Sequence, residues 1–212
     1  MNQNTLIVPD GPSALPLLPS LEGRQLVLAS ASPRRHQLLS ALGIPFIVRP
    51  TDADEVYPDE LQGPEIPRYL SELKARAAAP ALSQEEVLIT SDTVVQLDGR
   101  TLEKPGSEEE ALDMLRQLSG RTHDVTTAFC IVDGRHPEEI KTHHDTASVS
   151  FGHITEAFAQ HYVKNHAPFD KAGAYGAQDL IGMCAIHTLK GSFYTVMGLP
   201  MHKIFSELQL LD

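Results

Sequence analysis

Residues 26–35, LVLASASPRR, give the clearest structural pattern in this 212-residue chain. The apolar run Leu26–Ala29 predicts a short buried strand. Ser32 and Pro33 then predict the start of a helix, with serine at the N-cap and proline at the first helical position. The helix is expected to continue to a C-cap at Gly43. The stretch therefore predicts a strand, a short loop and a helix in immediate succession.

Two arginines, Arg34 and Arg35, occupy the first turn of that predicted helix. A cation is unfavourable there because the N-terminal end of a helix carries partial positive charge. The conflict disappears when a polyanion binds at the same place, since helix N-termini and arginine forks both bind phosphate. The pattern therefore indicates a phosphate site, with a surface helix that begins with two arginines as the structural alternative.

Strands and helices are predicted to alternate along the rest of the chain. The predicted strands are 45–50, 87–90, 123–132, 140–151 and 183–189, and the predicted helices are 64–81, 107–120, 155–165 and one after Pro200. Residues 94–97 are expected to lead to a turn at Asp98-Gly99. This order predicts an α/β protein with a mixed, twisted sheet.

Length, cysteine content and charge restrict the class of protein. A chain of 212 residues can bury a core without disulfides or a metal. We interpret its two cysteines, Cys130 and Cys184, as buried free thiols in a reducing compartment. The net charge of −11 argues against a nucleic-acid polymer as partner, although it allows a small cationic pocket for a nucleotide. No apolar run is long enough to span a bilayer, so no membrane partner is expected.

Residues 1–24 form a proline-containing N-terminal arm. The arm lacks the cationic start and uninterrupted apolar region of a signal peptide. We expect it to be disordered or loosely packed. In the alternative, Leu15, Leu17 and Leu18 dock on the body of the protein.

Asp92 is the strongest catalytic candidate because it follows the buried strand predicted at 87–90. A carboxylate just past a strand can hold a hard divalent cation or deprotonate a water. Its structural alternative is a turn aspartate that caps nearby amides. Glu55 ends a run of acids that is usually a solvated face.

Three lysines are candidates for phosphate binding: Lys74, Lys104 and Lys171. Taken one at a time, each would be interpreted as an ordinary lysine that faces solvent. Lys104 is the most distinctive, because Pro105 holds its loop and a held loop suits a charge aimed at a phosphate.

Eight segments of the chain match one family in order and spacing. They are 30–35, 54–55, 74–75, 91–95, 103–105, 118–123, 170–178 and 196–200. Together they resemble the motifs of the Maf family of nucleoside triphosphate pyrophosphatases, from about Leu26 to Leu208. The N-terminal arm is longer than the usual start of that family, and the segment 191–195 departs from its pattern.

The resemblance implies a fold and a reaction. It implies one domain over residues 25–212, with a mixed, twisted sheet flanked by helices and two lobes around a central cleft. The implied enzyme is a cytoplasmic homodimer that hydrolyses a nucleoside triphosphate between the α and β phosphates. Asp92 matches the general base, and Asp92 and Glu55 match ligands of a divalent metal cation, Mg²⁺ or Mn²⁺. The implied substrate- and phosphate-binding residues are Ser30, Arg34, Arg35, Lys74, Lys104 and Lys171.

Base specificity is implied at three positions. Arg34, Thr93 and Gln178 match the branch that cleaves dTTP and UTP, whereas a branch that cleaves 7-methyl-GTP carries other residues there. Two alternatives stay open at the level of the sequence: an enzyme of the 7-methyl-GTP type, and a nucleotide-binding regulator of cell division or septum formation with little catalysis.

Overall fold

The strand and the helix predicted at residues 26–35 are both present in the structure, a computed structural model that describes residues 4–211. Gln25–Leu28 is a strand with three buried residues, and Pro33–Ser40 is a helix with Ser32 at its N-cap. The helix ends before the predicted C-cap because Gly43, with φ +62°, closes a turn after it by donating its N–H to the Ser40 carbonyl over 2.9 Å.

Seven α-helices and eight strands lie within the described residues. The strands are β1 (Thr5–Ile7), β2 (Gln25–Leu28), β3 (Phe46–Val48), β4 (Glu86–Leu97), β5 (Arg100–Leu102), β6 (Thr122–Asp133), β7 (Ile140–Phe151) and β8 (Ile186–Lys190). The helices are α1 (Pro33–Ser40), α2 (Glu65–Ala78), α3 (Glu108–Leu118), α4 (Glu156–His166), α5 (Leu180–Ala185), α6 (Phe193–Met197) and α7 (Met201–Gln209). None of the helices in these residues is long and apolar enough to cross a membrane.

The strands form a mixed sheet in the order β1-β3-β2-β4-β6-β7-β8, with β5 also paired to β4. Strand β2 is parallel to β3 and to β4. The pairs β1–β3, β4–β5 and β7–β8 are antiparallel. The predicted α/β class with a mixed sheet is therefore confirmed.

The described chain divides into two compact units. Unit 1 contains residues 4–92, Thr127–His144 and residues 198–211, and unit 2 contains Thr93–Thr126 and Asp145–Met197. In unit 1, small and branched residues of β2, α2 and β4 form an apolar cluster. In unit 2, the apolar faces of α3 and α4 contribute to a larger cluster with residues of β6 and β7.

The sequence predicts that the N-terminal arm is disordered or loosely packed. In the structure, the described part of the arm packs on unit 1. Strand β1 pairs with β3, and Leu18 and Leu21 are almost completely buried. The Ser20 hydroxyl donates to the Leu208 carbonyl over 2.5 Å, which connects the arm to α7. These contacts arise because the few leucines of the arm find apolar partners that no local sequence pattern reveals.

Helix α5 occupies part of a segment that the sequence predicts as a strand, Met183–Leu189. Strand β8 begins only at Ile186, because the residues before it form α5, in which Gly182 lies close against the backbone of Ala177. A Cβ at Gly182 would lie 2.1 Å from the Ala177 carbonyl oxygen. The prediction that both cysteines are buried is also wrong, since Cys130 is buried and Cys184 of α5 is exposed.

Candidate active site

The loop between β2 and α1 is organised around Ser30, which is 7% exposed. The Ser30 hydroxyl accepts the N–H of Ser32 over 3.2 Å. The backbone carbonyl oxygen of Ser30 lies 2.7 Å from Nε2 of His36, one turn into the helix. The N-cap Ser32 makes no side-chain capping bond. Ser30 therefore fixes the entry to the helix that the sequence assigns to phosphate binding.

The guanidinium of Arg35 makes two hydrogen bonds within the protein. Its Nε donates to the Gly198 carbonyl over 2.9 Å, and a terminal guanidinium nitrogen donates to the Ser30 hydroxyl over 3.2 Å. Burial lowers the pKa of Arg35 below its ordinary value; the carboxylate of Asp92 opposes this shift, and the charge of Arg34 adds to it. The two arginines thus create a concentration of positive charge at the start of α1, which suits an anion.

The sequence predicts that Asp92 lies just past the end of a strand. In the structure it lies in the middle of β4. Strand β4 runs without interruption from Glu86 to Leu97. The strand continues because its second half pairs with β5 across the Asp98-Gly99 turn, in which both residues have positive φ. Asp92 is 8% exposed, so its carboxylate is nearly buried.

Lys74 brings the two predicted metal ligands together. Its Nζ lies 2.7 Å from Oδ1 of Asp92 and 3.2 Å from Oε1 of Glu55. Helix α2 carries Lys74 on its buried face, whereas Glu55 is exposed in the preceding loop. Two carboxylate oxygens therefore converge on one cationic nitrogen, and this pattern is what a hard divalent cation also requires.

Sequence reasoning missed the function of Ser91 and Gly198 as the support of this group. The Ser91 hydroxyl lies 2.8 Å from the Ala128 carbonyl and 3.0 Å from the Gly198 carbonyl, and donates its single proton to one of them. Gly198, with φ +105°, thus presents one carbonyl to both Ser91 and Arg35. Because 91–95 and 196–200 are among the matching segments, the signal was present, but their contact joins residues 107 positions apart.

The other predicted site residues lie in unit 2. Lys104 is exposed in the loop between β5 and α3, and Thr93 is half-buried in β4. Lys171 is held by carboxylates, with its Nζ 2.7 Å from Oδ1 of Asp170 and 3.7 Å from Oδ2 of Asp179. The N–H of Gly173 donates to the Glu103 carbonyl over 3.0 Å, which connects the two segments that carry Lys104 and Lys171.

Gln178 carries an unused hydrogen-bond acceptor. Its side-chain oxygen Oε1 is buried and has no partner within the part of the chain that the structure describes. Leaving such an atom unpaired costs about 1–3 kcal/mol. An unpaired buried amide oxygen is consistent with a residue that waits for a donor on a ligand.

Two buried tyrosines near Gln178 differ in the groups that their hydroxyls bind. The Tyr175 hydroxyl and Nε2 of His123 share a hydrogen bond of 2.7 Å, and Tyr162 accepts the N–H of Gly176 over 3.2 Å. Burial lowers the pKa of His123 from its ordinary 6.5 to about 4, so the imidazole is neutral at pH 7. Tyr162 was missed by sequence reasoning because its position in α4 is typical of a core aromatic residue.

Comparison with known proteins identifies the family. A family model described as "Maf-like protein" matches residues 25–211. A protein of Bacteroides thetaiotaomicron named "dTTP/UTP pyrophosphatase" is 44% identical over 196 residues, which cover 92% of this chain and all of that protein. A protein of Porphyromonas gingivalis with the same name is 43% identical, over 91% of this chain and 97% of its own.

A solved structure, the Staphylococcus aureus Ham1 protein, is also similar, with a TM-score of 0.43 and 19% identity over 60% of this chain and 72% of that one. The family model spans almost all of the described residues, and the relatives exceed 40% identity over nearly their whole length. This chain belongs to the Maf-like protein family.

Proposed function

We propose that this protein hydrolyses dTTP and UTP to the nucleoside monophosphate and pyrophosphate. The observation that carries the proposal is the nearly buried carboxylate of Asp92, held 2.7 Å from Lys74 and close enough to Arg35 for their charges to interact. The relatives of the chain that are named "dTTP/UTP pyrophosphatase" support the choice of substrate.

In the proposed reaction, water attacks the α-phosphorus. Asp92 accepts the proton of that water as general base. The bond from the α-phosphorus to the bridging oxygen breaks, and pyrophosphate leaves with the electron pair. Cationic groups stabilise the charge on the phosphate oxygens; we assign this function to Arg34, Lys74, Lys104 and Lys171. Ser30 and Arg35 shape the loop that receives the phosphates, because both bond within that loop.

We also propose that Glu55 and Asp92 hold a divalent cation, Mg²⁺ or Mn²⁺. The fit rests on the donor set: two hard oxygen ligands that already converge on one positive group, the Lys74 ammonium. Magnesium in proteins uses few carboxylates and completes its shell with water and phosphate oxygens. The cation would supply further neutralisation of phosphate charge.

Base selection is assigned to Gln178, with Thr93 and Arg34. The amide of Gln178 can donate to O4 and accept from N3–H of uracil or thymine, and its oxygen is the unpaired acceptor described above. Cytosine presents the opposite order of donor and acceptor, so CTP should be a poor substrate.

We further propose that the enzyme is a cytoplasmic homodimer. Its two cysteines are both free, as expected in a reducing compartment, and the resemblance of the motifs implies the dimer. Light scattering coupled to size-exclusion chromatography measures the mass in solution; a monomeric mass at micromolar concentration would contradict the dimer.

The products decide whether the reaction is correctly assigned. Hydrolysis of dTTP in oxygen-18 water should yield dTMP and pyrophosphate, with the label in dTMP. Label in pyrophosphate would place the attack at the β-phosphorus, and release of dTDP with orthophosphate would place it at the γ-phosphorus. If the protein binds nucleotides but hydrolyses none of a panel of eight nucleoside triphosphates, the result would favour the alternative function, a nucleotide-binding regulator of cell division or septum formation.

A further inference from the structure

Tyr162, on α4, is a fully buried side chain whose hydroxyl bonds to two partners. It donates to Oδ2 of Asp179 over 2.9 Å and accepts the backbone N–H of Gly176 over 3.2 Å. Burial raises the pKa of Tyr162, and the nearby charge of Asp179 raises it further, so the hydroxyl keeps its proton. A protonated hydroxyl can satisfy both partners at once.

The two partners of Tyr162 lie on either side of Gln178 in the sequence. Gly176 precedes Gln178 by two residues, and Asp179 follows it directly. One hydroxyl therefore fixes the backbone before Gln178 and the side chain after it.

The segment around Gln178 has little room to adopt another conformation. A Cβ on Gly176 would lie 2.5 Å from Oδ2 of Asp179, the atom that accepts the Tyr162 hydroxyl. On the next residue, Ala177, the carbonyl is in close contact with Gly182 of α5. The Asp179 carboxylate on one side and the backbone of α5 on the other thus confine the segment, and the Tyr162 hydroxyl bonds to the first of these groups.

We infer that Tyr162 is a positioning residue that sets the base selectivity of the enzyme. This inference rests on the proposed function, in which Gln178 recognises the edge of the base. Tyr162 acts by holding the Gln178 amide in the orientation that suits the O4 and N3–H of uracil and thymine. When that hold is lost, the amide can rotate and accept the opposite order presented by cytosine, while contacts to the triphosphate stay the same for every nucleotide.

The test is the variant Tyr162→Phe, which keeps the ring and its stacking on His166 but removes the hydroxyl. We expect the ratio of kcat/KM for dTTP to that for CTP to fall about tenfold, the effect of losing about one hydrogen bond. A variant with equal losses for dTTP, UTP and CTP would show that Tyr162 only stabilises the fold, and would overturn the inference.

Tyr175→Phe is the matched control. It removes another hydroxyl of a buried tyrosine, which bonds to His123 and not to Gly176 or Asp179. We expect lower thermal stability in this variant, with a dTTP/CTP ratio within about twofold of the wild type, because the ring stays packed on Phe151. A Tyr175→Phe ratio as low as that of Tyr162→Phe would contradict a specific function of Tyr162.

A second pair of variants changes Asp179, the acceptor of the Tyr162 hydroxyl. Asp179→Asn keeps an acceptor for the Tyr162 hydroxyl and should preserve the ratio, whereas Asp179→Ala should lower it like Tyr162→Phe. Loss of the charge near Lys171 should affect all nucleotides equally in both variants, so the ratio is insensitive to it. If Tyr162→Phe does not fold, the Asp179 pair decides the question by the same ratio.

The two proposals fail in different ways. A wild-type enzyme that releases no pyrophosphate from dTTP or UTP contradicts the proposed function. A wild-type enzyme that prefers dTTP to CTP, with an unchanged preference in Tyr162→Phe and Asp179→Ala, contradicts only the inference about Tyr162.

Discussion

At the scale of single residues, the carboxylate of Asp92 lies close to two cationic side chains. Lys74 bonds to it directly, and Arg35 lies close enough for the two charges to interact. A charged, nearly buried carboxylate is suited to accept a proton from a positioned water. The same contacts make the charge of Asp92, rather than its size, the property to remove.

Asp92→Asn should lower kcat for dTTP by at least about a hundredfold, the usual scale for loss of a general base. Asparagine has the same size and still accepts from Lys74, so the circular-dichroism spectrum should not change. Asp59→Asn, at an exposed position of unit 1, is the charge-matched control. Near-normal turnover in folded Asp92→Asn would remove Asp92 from the mechanism.

Gln178→Glu replaces the amide with an acceptor-only group. We expect kcat/KM for dTTP and UTP to fall by an amount equivalent to about 1–3 kcal/mol, because O4 of the base loses its donor. The gap between these substrates and CTP should narrow. If the wild type prefers 7-methyl-GTP, or if the variant keeps the ranking, the assignment to the dTTP/UTP branch is wrong.

His123 predicts a dependence of stability on pH. Its pKa is about 4 in the folded protein and about 6.5 when unfolded. Between these values the unfolded chain binds a proton that the folded chain does not, so acidification lowers the free energy of unfolding, by an amount on the order of 3 kcal/mol from this group.

Urea titrations at pH 7 and pH 4.5 measure the effect of His123. The decrease in unfolding free energy between the two pH values should be smaller in His123→Gln than in the wild type. Equal decreases would show that the imidazole is not protected from protonation in the folded state.

At the scale of elements, local patterns predicted most helices and strands because their signals lie within a few residues. Ser107 caps α3 by accepting from the N–H of Glu110, as its capping-box sequence predicts, and Thr155 caps α4 in the same way. The sequence predicts that strand β4 ends near residues 91–93, since Ser91 and Asp92 are polar. Burial and pairing over the full length of the strand override that local preference.

The N-terminal arm shows the same limit of local patterns. Its leucines give no periodic signal, and two neighbours, Leu17 and Leu18, have opposite environments. Leu18 is 0% exposed and Leu17 is 61% exposed. The arm contains two short 3₁₀ helices, Leu15–Leu17 and Pro19–Leu21. Only their tertiary partners, including α7, decide which leucine is buried.

Leu18→Ala should lower the free energy of unfolding by about 2–5 kcal/mol, the cost of a cavity at a fully buried leucine. Leu17→Ala is the matched control and should change it by less than about 0.5 kcal/mol, since the side chain is exposed. Chemical denaturation of both variants measures the difference. Equal small effects would show that the arm is detached from unit 1 in solution.

At the scale of the whole molecule, charge rather than fold governs behaviour in solution. The chain carries 28 acidic and 17 basic residues with ten histidines, and its isoelectric point is about 5.3. Proteins associate most readily where the net charge is near zero.

We expect light scattering at fixed protein concentration to rise to a maximum near pH 5.3 and to fall again on either side. Moderate salt at pH 7 should have little effect, because mutual repulsion of the acidic proteins already prevents aggregation beyond the proposed dimer there. A maximum well away from the isoelectric point would show that a specific surface, and not net charge, drives association.

The difference in exposure between the two cysteines offers a practical handle. Burial raises the pKa of Cys130, whereas Cys184 is exposed on α5, and thiol reactivity requires an accessible thiolate. A maleimide dye should therefore attach to Cys184 alone in the unaltered protein. Because α5 packs through Gly182 on the residue before Gln178, the dye would become an optical reporter of nucleotide arrival, readable without turnover.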